Sequence, residues 1–139
     1  MKIHYIITIY LLFLISCKNE RFIDINHDYY DELQTKLIMA KDGDVILLPH
    51  GNINLNRSLW VDGLKHVTIK GYGIDQTILS FKHQIEGSEG FKIVNSKNIR
   101  LIDFTIEDSK GDLIKVENTI GIDFINIKAQ WTGKPKKTN

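Results

Sequence analysis

Two hydrophobic periodicities divide the chain. Over residues 28–41, Tyr30, Leu33, Leu37 and Ala40 fall at i, i+3, i+7 and i+10, which is one face of a helix. Asp28 suits the N-cap, Asp31 and Glu32 suit the first turn, and Gly43 stands just past the end. The pattern predicts a helix over 28–41. After Gly43 the period falls to two. Residues 45–48 form a short apolar run closed by Pro49, and Ile53 and Leu55 alternate with Asn52, Asn54 and Asn56. From there to Trp131 the chain reads as short β-segments separated by Gly, Asn and Asp, with no second helical pattern.

The β-region repeats. Ile102-Asp103-Phe104 returns as Ile122-Asp123-Phe124, but a shift of 20 sets Ile106 against Asn126 and Ile99 against Thr119. A shift of 23 aligns like with like. It pairs Phe91 with Ile114, Ile93 with Val116, Asn95 with Asn118, Ile99 with Ile122, Leu101 with Phe124, Asp103 with Asn126, Phe104 with Ile127 and Ile106 with Ala129. A shift of 32 extends the frame backward. Leu59 then meets Phe91, Val61 meets Ile93, Gly63 meets Asn95, Val67 meets Ile99, Ile69 meets Leu101, Gly71 meets Asp103, Tyr72 meets Phe104 and Ile74 meets Ile106. The nine extra residues are expected in one enlarged loop within 75–90 that carries its own strand, "TILSF".

A unit of about 23 residues with three short β-segments and no internal helix predicts a parallel β-helix of about three coils, stacked roughly 4.8 Å apart. Inward residues then pile on like residues, while Gly71, Asp103 and Asn126 share a corner. The helix is expected to cover the open N-terminal end of the stack. The last coil presents Ile114, Val116, Ile122, Phe124 and Ile127 with no C-terminal cap after them. Further coils or another chain are therefore expected at that end. A β-sandwich, the rival all-β fold, would show alternation without a 23-residue register.

The first residues read differently. Lys2 is followed by "YIITIYLLFLI", about eleven mostly apolar residues, the length of a signal-peptide core and too short to span a bilayer. Leu14-Ile15-Ser16-Cys17 resembles a bacterial lipobox. The expected organisation is a lipoprotein signal peptide over 1–16, lipidated Cys17, a tether over 17–27, and the cap helix with the first coils over 28–139. Cys17 is the only cysteine, so no disulfide forms within the chain. Removing residues 1–16 takes away Lys2 and leaves 17 basic against 17 acidic residues. That balance lacks the basic stripe a nucleic-acid binder needs.

The segment "GDVILLPHGNINLNRSLWVDGLKHVTIKGYGIDQTILSF", with "IRLIDFTIEDSKGDLIKV" and "QWTGKPKKTN", resembles the opening of bacterial parallel β-helix repeat proteins of the right-handed, pectin-lyase-like superfamily. The resemblance runs from Leu33 to the end. It implies a right-handed helix and a longer relative whose later coils are absent here. The superfamily holds pectate lyases, polygalacturonases, alginate lyases, C5-epimerases and proteins of no assigned activity, so it narrows fold more than function.

Candidate chemistry concentrates at residues 108–112. The 23-residue register sets Trp131 over Asp108 and brings Lys134 near, so Asp108, Lys110, Asp112, Trp131 and Lys134 are candidate ligand-binding residues. An aromatic face packs on a sugar ring, a cation neutralises a uronate, and a carboxylate or base serves lyase, epimerase or hydrolase chemistry. The plainer reading of the same residues is a solvated turn and a Trp covering the next coil. Asp42, Asp44 and Asp62 match no calcium loop, and His50, His66 and His83 are too scattered for zinc, so no metal or other cofactor is expected. Trp60 is expected to pack as a shielded surface aromatic. Gly71-Tyr72-Gly73 lacks the following helix of a nucleotide loop. The expected function is a lipid-anchored, exported cell-envelope module that engages polysaccharide without catalysis of its own. The alternative is the N-terminal portion of a polysaccharide lyase or C5-epimerase.

Overall fold

The computed structural model describes residues 29–133. The expected signal peptide over 1–16, Cys17, the expected tether over 17–27, Asp28 and Lys134 lie outside the described residues. Helix α1 (Tyr29–Ile38) precedes nine strands: β1 (Val45–Leu47), β2 (Gly51–Asn54), β3 (Arg57–Asp62), β4 (Thr68–Lys70), β5 (Thr77–Ser80), β6 (Glu86–Val94), β7 (Lys97–Glu107), β8 (Ile114–Glu117) and β9 (Ile120–Gln130). Every ladder between them is parallel. The strands wind into a parallel β-helix of about four turns, one more than the sequence register implies. β7 and β9 are long because each runs through a corner and serves two faces in one strand. One sheet follows the order β1-β4-β7-β5-β2, with β9 paired to β7, and the third face is the separate sheet β3-β6-β8.

Columns of like residues fill the interior. Ile46, Ile69, Leu101 and Phe124 sit opposite one another on successive windings. Ile53, Leu79, Ile106 and Ala129 form a second column, and Leu59, Phe91 and Ile114 a third. Each winding hides its apolar side only because a neighbour lies on it. Ile69 and Leu101 are therefore fully buried, while Phe124, at the end of its column, is 49% exposed.

The corners are made by residues that accept a left-handed backbone. Gly43, His66, Asn98 and Gly121 all have positive φ, as do Gly63, Asn95 and Asn118, and then Asp103 and Asn126. Asn and Asp tolerate this conformation better than other side chains and can hydrogen-bond locally. Here they bond up the stack. Asn118 donates to Asn95, 2.6 Å away, and Asn95 to Asp62 at 2.9 Å. Asn126 donates to Asp103 at 2.9 Å. Gly71 lies beneath that last pair, where a Cβ would strike the Asp103 carbonyl and the Phe104 and Thr77 side chains.

Two expectations about the insertion need correction. The offset between the second and third windings is 32 residues at Thr68↔Arg100, 27 at Ile78↔Thr105, and 23 by Phe91↔Ile114. The nine extra residues thus divide, five in the corner around 71–77 and four between 81 and 90. "TILSF" is no insertion: β5 is a regular member of the stack, held between β2 and β7. Leu79, rather than Ile74, lies opposite Ile106. Thr77 fixes the enlarged corner by donating to the Pro49 carbonyl at 3.0 Å and accepting from the Tyr72 N–H at 3.1 Å.

The helix is shorter than 28–41. Beyond Ile38 the chain turns, and the Asp44 carboxylate accepts from the Lys41 N–H at 2.8 Å. Leu33 and Leu37 close the first winding from below. Gln34 covers the strand edge itself. Its side-chain amide donates to the Trp60 carbonyl at 2.7 Å and accepts from the Trp60 N–H at 2.9 Å. One buried amide so meets both backbone groups that a preceding winding would otherwise have to meet. Arg57 adds a contact with Asp31 at 3.0 Å and lies 4.0 Å over the Tyr30 ring.

Candidate functional site

The outward face of the sheet β3-β6-β8 carries a surface groove built from three windings. Side chains alternate in and out along each strand, so Leu59 and Val61 face the core while Ser58, Trp60 and Asp62 face solvent. Register lines these up with outward residues of later windings. Trp60 stands beside Lys92 and then Lys115, and Asp62 beside Val94 and then Glu117. Between them runs an open groove of about 530 Å³, whose far end is formed by Gly87 and Glu89. That volume falls in the range of about 300–1,000 Å³ that small-ligand sites occupy. Trp60 stands 47% exposed at its side, so it is not the shielded aromatic expected from sequence.

Glu89, Lys92 and Glu117 of the groove are ion-paired, with Lys115 bridging the two glutamates beside it. Lys92 lies 3.2 Å from Glu117, and Lys115 lies 3.2 Å from Glu117 and 3.3 Å from Glu89. Glu117 is held below the ordinary carboxylate value by hydrogen bonds from Lys115 and then Lys92. Glu89 is lowered chiefly by a hydrogen bond from its own backbone N–H, against an opposing effect of burial, with help from Ser88 and Lys115. Lys115 is raised by its bonds to Glu117 and Glu89. All three groups are therefore charged at neutral pH. Asp62 accepts from Asn95, which in turn accepts from Asn118, so an amide ladder lines the groove's edge. The floor is braced from within: Gln84 donates to Ser58 at 3.0 Å and to the Glu89 carbonyl at 2.8 Å, and Ser58 also donates to that carbonyl.

The edge at residues 108–112 is assembled differently from its sequence reading. Trp131 and Thr132 do lie over Asp108, as the 23-residue register requires. The Asp108 carboxylate accepts from both the N–H and the hydroxyl of Thr132, and the Trp131 indole donates to the Ser109 carbonyl at 3.0 Å. Those polar atoms hold the last winding to the one below. The Lys110 N–H donates to Gln84, and the Asp112 carbonyl accepts from the Gly90 N–H. Lys110 and Asp112 expose their side chains, and no hydrogen bond or ion pair among the described residues joins those side chains to Asp108 or Trp131. The Trp131 ring is 60% exposed.

The remaining candidates separate. Asp42 pairs with His66 at 2.7 Å, Asp44 closes its own turn, and Asp62 belongs to the groove. His50 meets the Tyr72 ring edge-on, with ring centroids 5.8 Å apart. Among the described residues no three His, Cys, Asp or Glu side chains converge on a point that could hold a metal ion. The groove residues were present in the sequence, but their signal was weak. Trp60, Lys92 and Glu117 come from three windings, and only the register that aligns Leu59 with Phe91 and Ile114 also brings them side by side. No family model, no curated protein and no solved structure matches the chain.

Proposed function

We propose that this protein is an exported β-helix of the pectin-lyase-like kind, anchored to the cell envelope through lipidated Cys17, and that it binds a neutral polysaccharide along the β3-β6-β8 groove. The observation that carries the reading is Trp60, half exposed beside a polar channel whose lysines already face carboxylates. An exposed indole gives a flat apolar surface for the C–H face of a sugar ring. The ion pairs, Asp62 and the amide ladder offer donors and acceptors to hydroxyl groups around it. A uronate polymer is disfavoured, because its carboxylates would compete with Glu89 and Glu117 for two lysines. Catalysis by a lyase or epimerase calls for a base whose proton affinity is poised near neutrality. Glu89 and Glu117 are shifted away from that range, which supports binding over turnover in this groove.

Tryptophan fluorescence tests the reading, because the chain has only Trp60 and Trp131. Titration with soluble neutral glycans, mixed-linkage glucan and xylan among them, is expected to perturb the emission of the wild type and of Trp131→Phe. Trp60→Ala is expected to lose the response and at least tenfold in affinity. A response that follows Trp131 instead would move the site to the 108–112 edge. Absence of affinity for neutral glycans across an array would end the proposal.

A further inference from the structure

Among the described residues the outer edge of β9 has no strand partner, and that edge is complementary to itself. Among the described residues β9 pairs only with β7. Its backbone groups alternate between the ladder and the open side. The Arg100 N–H points back to the Val67 carbonyl, so at Arg100↔Asp123 it is Asp123 that turns its backbone groups toward β7. Ile122 and Phe124 then turn theirs away. On the other arm the Gln130 carbonyl accepts from the Asp108 N–H, so Gln130 and Lys128 face β7 while Ile127 and Ala129 face away. The corner at Asn126, with φ of 50°, breaks the alternation between the arms. Among the described residues, Ile122, Phe124, Ile127 and Ala129 thus turn their N–H and C=O groups to the unpaired side, and their predecessors Ile99, Leu101, Phe104 and Ile106 are the core residues of the winding below.

This pattern is symmetric about the point between Ile125 and Asn126. We infer that the β9 edge is an interface between two copies of this chain, joined end to end about a two-fold axis with β9 antiparallel to β9. Phe124 then opposes Ile127 of the second copy, and Ile122 opposes Ala129, so core residues meet core residues. Each of these pairs exchanges both backbone bonds, the arrangement of a hydrogen-bonded antiparallel pair. On the outer face Asp123 opposes Lys128 twice, once on each side of the axis. Opposite charges set directly across two strands stabilise the pair. The contact is isologous, so it closes at two copies and leaves no new edge. The apolar end of the stack supplies the drive: Phe124, Ile120 and Val116 are all exposed there.

Charge reversal tests the assignment. Sedimentation of the protein is expected to give a species of twice the monomer mass that dissociates on dilution. Lys128→Asp sets aspartates against aspartates, and Asp123→Lys sets lysines against lysines. Each variant alone is expected to dissociate at concentrations at least tenfold higher than the wild type. An equimolar mixture restores both opposite-charge pairs and is expected to return to wild-type dimer strength. The amides of Ile122, Phe124, Ile127 and Ala129 should exchange slowly in the concentrated wild type and quickly once diluted, a readout that needs no variant to fold. A wild type that stays monomeric, with β9 protected by its own terminal segments or not, overturns the inference. So does association that survives both single reversals, or growth into open-ended polymers.

Discussion

Gln34 replaces a strand with one side chain. It lies on the buried face of α1, and its amide occupies both backbone groups of Trp60. Gln34→Leu keeps the volume and removes both partners, leaving a part-buried N–H and C=O unsatisfied, where full burial would cost roughly 1–3 kcal/mol per group. Chemical unfolding is expected to show a loss of about 1–2 kcal/mol on that basis. Gln34→Glu keeps the acceptor and loses the donor, so it should also destabilise. A Leu variant as stable as wild type would mean that the helix does not cap the edge in this way. Sequence periodicity found Leu33 and Leu37 but passed over Gln34. A polar residue on an apolar helical face has meaning only through its partner, and Trp60 is 26 residues away.

At the scale of the sheet, β3-β6-β8 is where stability and the proposed binding surface share the same ions. Glu89 and Glu117 have folded values below the ordinary 4.5. Their contribution is complete above pH 4.5 and disappears as pH falls through the lowered values. Lys115 has a folded value above 10.5, so its contribution is complete below pH 10.5 and disappears as pH rises through the raised value. Urea midpoints measured from pH 3 to 11 should therefore fall at both extremes, and Glu117→Gln should flatten both limbs. The effect is expected to be small and to shrink with added salt, because these groups lie at the surface. An unchanged pH profile in Glu117→Gln would separate the ion pairs from stability. The inward columns of this sheet were legible as apolar residues at offsets of 23 and 32. The groove on its outer side was not, because exposure of Trp60 depends on what lies beside it rather than on the residue itself.

For the molecule as a whole, one register, at offsets of 23 and 32 residues, determined most of the architecture. It gave the windings, the inward columns and the corners of Asn, Asp and Gly. It misplaced the insertion because Ile74 and Leu79 are both apolar, and either can be drawn over Ile106 in an alignment of letters. The backbone distinguishes them: the corner opens at Gly71, where no side chain fits, and Thr77 closes it. The groove, the cap and the self-complementary edge all depend on windings lying in this register. Nuclear Overhauser contacts from methyl-labelled Leu101 test that most directly. The account predicts strong contacts to Ile69 on one side and to the Phe124 ring on the other. Contacts to neither, or to residues that place Leu101 between antiparallel strands, would contradict it.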